Sequence, residues 1–118
     1  MHIKFTTEKL RKEFEDSRAL QRARGVVQAK KIMTRMAQME GSLTLEQLRN
    51  QPGHFHALTE DKAGWLACDL DQPFRLIFEV ADVPVPQMDA GGLDWSKVTQ
   101  VQILGVLNYH ERNKQKPV

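Results

Sequence analysis

The stretch Trp65-Leu66-Ala67-Cys68-Asp69-Leu70, followed by Asp71-Gln72-Pro73 and then Arg75-Leu76-Ile77-Phe78-Glu79-Val80, decides how the chain folds. Both runs are rich in apolar and aromatic residues and too short for paired helices, and Asp71-Gln72-Pro73 reads as a turn between two strands. On the N-terminal side, Phe55 and Leu58 begin the strand region after Pro52-Gly53, with a turn at Asp61-Lys62-Ala63-Gly64 before Trp65. On the C-terminal side, Pro84, Pro86, Gly91 and Gly92 make residues 81–96 a long loop or an extended hairpin connection. Residues 98–106, with Gln100-Val101-Gln102-Ile103 alternating, read as the last strand, closed by Asn108-Tyr109-His110. Residues 111–118 are polar and read as a loose tail.

The first half has a different period. Residues 2–5 form a short strand. Thr6 and Thr7 are N-cap candidates, with Glu8 where a helix dipole favours an anion. Leu10 and Phe14 then share one face, and Gly25 is the expected stop. Ala29, Ile32, Met33, Met36, Ala37 and Met39 predict a second helix that Gly41 ends. Its methionines read as adaptable core filler. Thr44 followed by Gln47 has capping-box spacing and predicts a short helical turn through Leu48 and Arg49. A strand, two helices, a helical turn and then consecutive strands predict an α+β fold. In that fold the N-terminal strand and helices pack on a mostly antiparallel sheet of three to five strands.

The 118 residues suit one domain spanning 1–118, able to bury roughly two-thirds of its unfolded surface. Net charge is +2, unevenly placed: residues 1–50 carry 11 Lys and Arg against 6 Asp and Glu, and residues 51–118 carry 6 against 9. A basic first half suits phosphates or an acidic partner, or simply solvated helix faces. Cys68 is the only cysteine, which excludes an internal disulfide or a thiolate metal centre and fits a reducing, cytoplasmic setting. No apolar run reaches membrane-span length, and none follows Met1-His2-Ile3-Lys4-Phe5 as a signal peptide would require.

Neither a phosphate-binding glycine loop nor a serine nucleophile elbow is present. The chemistry-bearing candidates are His54, His56, Arg75, Tyr109 and His110. The spacing His54-x-His56 predicts two imidazoles on one strand face, able to chelate a metal or to move protons. Catalytic zinc usually takes three protein ligands, so no metal and no other cofactor is expected. With Arg75 on the next strand and Tyr109-His110 at the end of the last, one sheet surface would hold a base, an acid and a fixed cation. Cleavage of RNA by its own 2′-hydroxyl requires these parts, and histidine suits the proton-moving roles. Alternatively, Arg75 pairs only with Asp69 or Asp71, and Tyr109 is a core aromatic or stacks on a base.

Several of these residues carry a resemblance. Leu45-Glu46-Gln47-Leu48-Arg49, Pro52-Gly53 and His56-Ala57-Leu58 lead to Gly64-Trp65, Arg75-Leu76-Ile77-Phe78 and Asn108-Tyr109-His110. In order and rough spacing over residues 44–110, this resembles the HigB-type killer proteins of the RelE/ParE toxin superfamily. The resemblance implies a RelE-like α+β toxin that enters the ribosomal A site and cuts mRNA without a metal. It also implies a cognate antitoxin, often a helix-turn-helix protein, through which alone the pair would contact operator DNA. Carried over by position, His56 matches a polar strand position and His54 a site where the family often has Arg. Arg75 matches the strand Arg, and Tyr109-His110 the end of the last strand. Three departures stand out: Asn108 replaces an Asp, the segment between Arg49 and Leu58 is one residue short, and the loop at 81–96 is long. The competing implication is a non-catalytic toxin or binding module of the same fold, such as a ParE-like gyrase inhibitor or an inactive homologue.

Overall fold

The computed structural model describes residues 1–108 and 116–118. Strand β1 (His2–Phe5) leads into helices α1 (Glu8–Glu15), α2 (Ser17–Arg24), α3 (Val26–Gly41) and α4 (Leu45–Arg49). Strands β2 (His56–Ala57), β3 (Trp65–Asp69), β4 (Phe74–Val80) and β5 (Gln100–Asn108) follow. The sheet order is β1-β5-β4-β3-β2, with β1 parallel to β5 and every other neighbouring pair antiparallel. The chain is therefore α+β, with a mixed, mostly antiparallel five-stranded sheet. Two parallel strands cannot be joined by a tight turn, so everything between β1 and β5 serves as one long connection.

Local chemistry explains the helix ends. Thr7 caps α1, its hydroxyl accepting from Leu10 N at 3.1 Å. The single helix expected up to Gly25 is two helices. Asp16 takes an extended backbone, and its carboxylate accepts from the amides of Arg18 and Ala19, which starts α2 afresh. Gly25 does stop α2, at φ +85°. Thr44 caps α4 as its spacing predicts, while the Gln47 side chain reaches back to Leu43 N rather than to the cap's own amide.

The main core lies between the helices and one sheet face. Leu10, Phe14, Leu20, Ile32, Met39 and Leu48 pack against Leu66, Leu76, Phe78, Val101 and Ile103. In α3, Ala29, Ile32 and Met39 are buried, whereas Met33 and Ala37 of the predicted stripe are exposed. The inward seam runs through positions 28, 32, 35 and 39, and Met33 and Ala37 stand about 130° and about 170° off it. That seam contains two polar residues. Gln28 is buried, and its side chain both accepts from Asp71 N at 2.8 Å and donates to Asp71 O, tying α3 to the β3–β4 turn. Arg35 does comparable work one heptad on. The opposite sheet face carries a small cluster of Ala67, Ile77 and Leu107 with no helix residue in it.

The 81–96 connection is an organised hairpin. Asp82 accepts from the amides of Thr99 and Gln100 at its base, and Gln87 bridges to Leu93 within it. The Arg49 guanidinium lies 4.3 Å above the Trp95 ring, fastening its far end to α4. The far end of the chain also departs from expectation. Val118 is no loose tail residue, because it exchanges two 2.7 Å backbone hydrogen bonds with Val106, and its carbonyl accepts from Arg24. This docking needs Gly105, which stands at φ +139° beside a register shift in the β4–β5 ladder. A Cβ there would lie 3.2 Å from Pro117 and Val118. Gly105→Ala is accordingly expected to lower stability by about 1–3 kcal/mol, read as a reduced urea midpoint, with faster amide exchange at Val106 and Val118.

Candidate functional site

Chain reversal between α4 and β2 builds the site. Gly53 at φ +126° and His54 at φ +55° are consecutive residues with positive φ. Glycine adopts such a backbone freely, while a histidine there costs about 1–2 kcal/mol. The next residue, Phe55, is buried, with its ring edge-on to Phe78 at 6.5 Å, so the turn is pinned to the core. His54 and His56 flank that anchor and both leave the core. The expectation that both lie on one strand is corrected, since β2 contains only His56 and Ala57. The two rings nevertheless meet, stacked at 4.0 Å between centroids with 15° between planes.

Strand register adds the charged partners. His56 pairs with Ala67, Ala67 with Ile77, and Asp69 with Arg75. Alternation along each strand then puts His56, Asp69 and Arg75 on the face of the Ala67, Ile77 and Leu107 cluster, opposite the main core. Arg75 NH1 lies 3.4 Å from His56 Nε2, and Arg75 Nε lies 3.5 Å from Asp69 Oδ1. Asp69 Oδ1 is also 3.7 Å from His54 Nδ1. His56 Nδ1 is 2.7 Å from the His54 carbonyl, which can only accept, so this nitrogen carries the proton and donates it. In the neutral ring Nε2 then holds a lone pair, directed at the guanidinium.

Three of the five predicted site residues, His54, His56 and Arg75, are thus brought together. Tyr109 and His110 lie outside the described residues. Asp69, read from sequence only as a structural partner of Arg75, belongs to the cluster. Its position opposite Arg75 across a tight turn was the signal available. Parallel stacked imidazoles direct their in-plane lone pairs along separate planes, and His56 Nδ1 is already donating, so this arrangement is poorly shaped for two-point chelation. Among the described residues, no group of three or more His, Cys, Asp or Glu side chains could hold a metal ion. An apolar groove elsewhere, lined by Ala57, Trp65, Val80, Val85 and Leu93, includes neither His54, His56 nor Arg75 in its wall.

Cys68 neighbours Asp69 but faces the opposite way, into the main core. Burial pushes its thiol well above the usual range, with only partial opposition from the charge of Arg35. It can serve neither as a thiolate nucleophile nor as an accessible redox group in the folded state. What the cluster can do is hold an anion against Arg75 beside an imidazole whose Nε2 lone pair faces the guanidinium.

No protein-family model matches the chain, and no curated protein matches its sequence. Among the described residues, no helix is long and apolar enough to cross a membrane.

Two measurements check this geometry. His54→Gly is expected to be near neutral in urea unfolding, whereas His54→Val should cost about 1–2 kcal/mol, because only the first tolerates φ +55°. Cys68 should resist iodoacetamide in native buffer and react promptly once urea unfolds the chain; prompt native labelling would contradict its burial.

Proposed function

We propose that this protein is a RelE-like toxin of a type II toxin–antitoxin pair, a ribosome-dependent endoribonuclease that cleaves mRNA by metal-independent acid–base chemistry. The observation that carries the reading is the convergence of His56 and Arg75 across three strands, at 3.4 Å, on the sheet face opposite the α-helices of the described residues. Supporting it are the α+β order of elements and the resemblance over residues 44–110, which also assigns Tyr109 and His110 to the site.

In this reading the scissile phosphate lies against the Arg75 guanidinium. A base removes the 2′-hydroxyl proton, and the 2′-oxygen bonds to phosphorus. The bond from phosphorus to the 5′-oxygen breaks, and an acid delivers a proton to that leaving oxygen. The products are a 2′,3′-cyclic phosphate and a 5′-hydroxyl. Arg75 steadies the added negative charge, and His56, Tyr109 and His110 are the candidates for the proton transfers. The partners in this reading are mRNA on the ribosome and a cognate antitoxin, which brings the pair to operator DNA. The setting is the cytoplasm.

A second reading, a non-catalytic toxin or binding module of the same fold, draws on the 3.5 Å approach of Arg75 to Asp69. A cross-strand ion pair can account for that approach with no substrate at all.

Induced expression is expected to arrest growth and to produce discrete, codon-linked cuts in cellular mRNA by primer extension. Arg75→Ala and His56→Ala should each lower cleavage by about 100-fold or more at equal protein levels. Arrest with intact mRNA and damaged DNA would favour the non-catalytic reading. Undiminished cutting by both variants would remove the site assignment.

A further inference from the structure

The described residues of the site are held from behind by a group that the chemistry above does not use. Arg35 projects from the inward seam of α3 toward the turn that precedes the two histidines. Its Nε donates to the Asp69 carbonyl at 2.7 Å, and its NH1 donates to Gln38 Oε1 at 3.1 Å and to the Pro52 carbonyl at 3.4 Å. Gln38 Nε2 donates to the same Pro52 carbonyl at 2.8 Å. The guanidinium also lies flush against Gly53, since a Cβ built there would come within 2.9 Å of its carbon. Gly53 in turn accepts from Asp69 N at 2.8 Å. One planar cation therefore joins the helix, the end of β3 and the chain immediately before His54. A lysine has no forked donors with which to reach these carbonyls together.

We propose that Arg35 is a positioning residue for His56. By clamping Pro52 and Gly53 against the end of β3, it fixes where the His54 carbonyl points. That carbonyl holds the proton of His56 on Nδ1 and leaves the lone pair on Nε2, facing Arg75. His56 is then set as the base of the cleavage reaction, and a phosphate bound at Arg75 would draw the guanidinium away from Nε2 as the 2′-hydroxyl arrives. This inference rests on the nuclease reading for its purpose, but the link from Arg35 to the tautomer stands on geometry alone. Histidines that act in proton transfer commonly depend on such a partner at the other ring nitrogen to set tautomer and orientation.

The test is nitrogen-15 NMR of the imidazoles in the free full-length protein, with a circular dichroism check of folding, on the wild type, Arg35→Lys, Arg35→Gln and Gly53→Ala. The wild type should show His56 protonated at Nδ1. The Arg35 variants should shift it toward a mixture of tautomers and lose ring-to-ring contacts between His54 and His56. Gly53→Ala, which crowds the guanidinium without removing it, should move the signal the same way. If Arg35→Gln does not fold, Arg35→Lys and Gly53→Ala carry the comparison. A wild-type His56 protonated at Nε2 overturns the proposal whatever the variants do. So does an unchanged Nδ1 tautomer in folded variants. The expected tautomer shift in a protein that cuts no RNA would remove the nuclease reading and leave the Arg35 link in place.

Discussion

Backbone polar groups at the end of β3 must be satisfied where the sheet turns under a helix, and two side chains from one seam of α3 satisfy them. Gln28 meets both backbone groups of Asp71, and Arg35 meets the carbonyl of Asp69. These part-buried hydrogen bonds tie the backbone of the turn to α3 and supply partners where packing against the helix limits access of water. They fix the height of α3 over the sheet, the end of β3 and the turn into β4. Through Gly53 and Pro52 they also fix the approach of the chain to β2. The half-buried cluster on the far face inherits its geometry from this polar seam on the near one.

The two faces of the sheet divide the work. The helix side holds a continuous apolar core, including Leu20, Ile32, Phe78 and Ile103, and the inert thiol of Cys68. The far side keeps a smaller apolar cluster with His56, Asp69 and Arg75 beside it. Period-two alternation forces this division, because Cys68 and Asp69 are adjacent in sequence and cannot share a face. Arg75 thus has among its neighbours a carboxylate that anchors it and an imidazole that it can polarise. A cation near the start of β4 supports both the structural and the chemical reading. The chemical reading draws in addition on the His56 imidazole beside Arg75.

Much of this was legible in the residues. The strand runs at 65–70 and 75–80, the Thr7 and Thr44 caps, the Gly25 stop and the α+β order follow from local chemistry that tertiary packing reinforces. The break at Asp16 was also written in the chain, since Asp before Ser17-Arg18-Ala19 is a good N-cap. The apolar pair Leu10 and Phe14 masked it. Met33 and Ala37 fitted a helical spacing equally well, but only the docked helix reveals which stripe faces inward. Within the site, the value of His54 and His56 as a pair was visible in their spacing, although the strand that spacing implied is not there.

The sequence by itself determined the alternation of buried and exposed residues, the helix boundaries set by caps, and which residue types were present to do chemistry. Those properties depend on neighbours a few positions away. Only the tertiary structure decided that His56 meets Arg75, that the His54 carbonyl assigns the proton on His56, and that Arg35 reaches across from a helix to hold both in place. These are contacts between residues 19 to 34 positions apart, or through a backbone turn with positive φ, and no local pattern encodes them. Strand register and the burial of α3 create those contacts, and both are properties of the packed sheet as a whole.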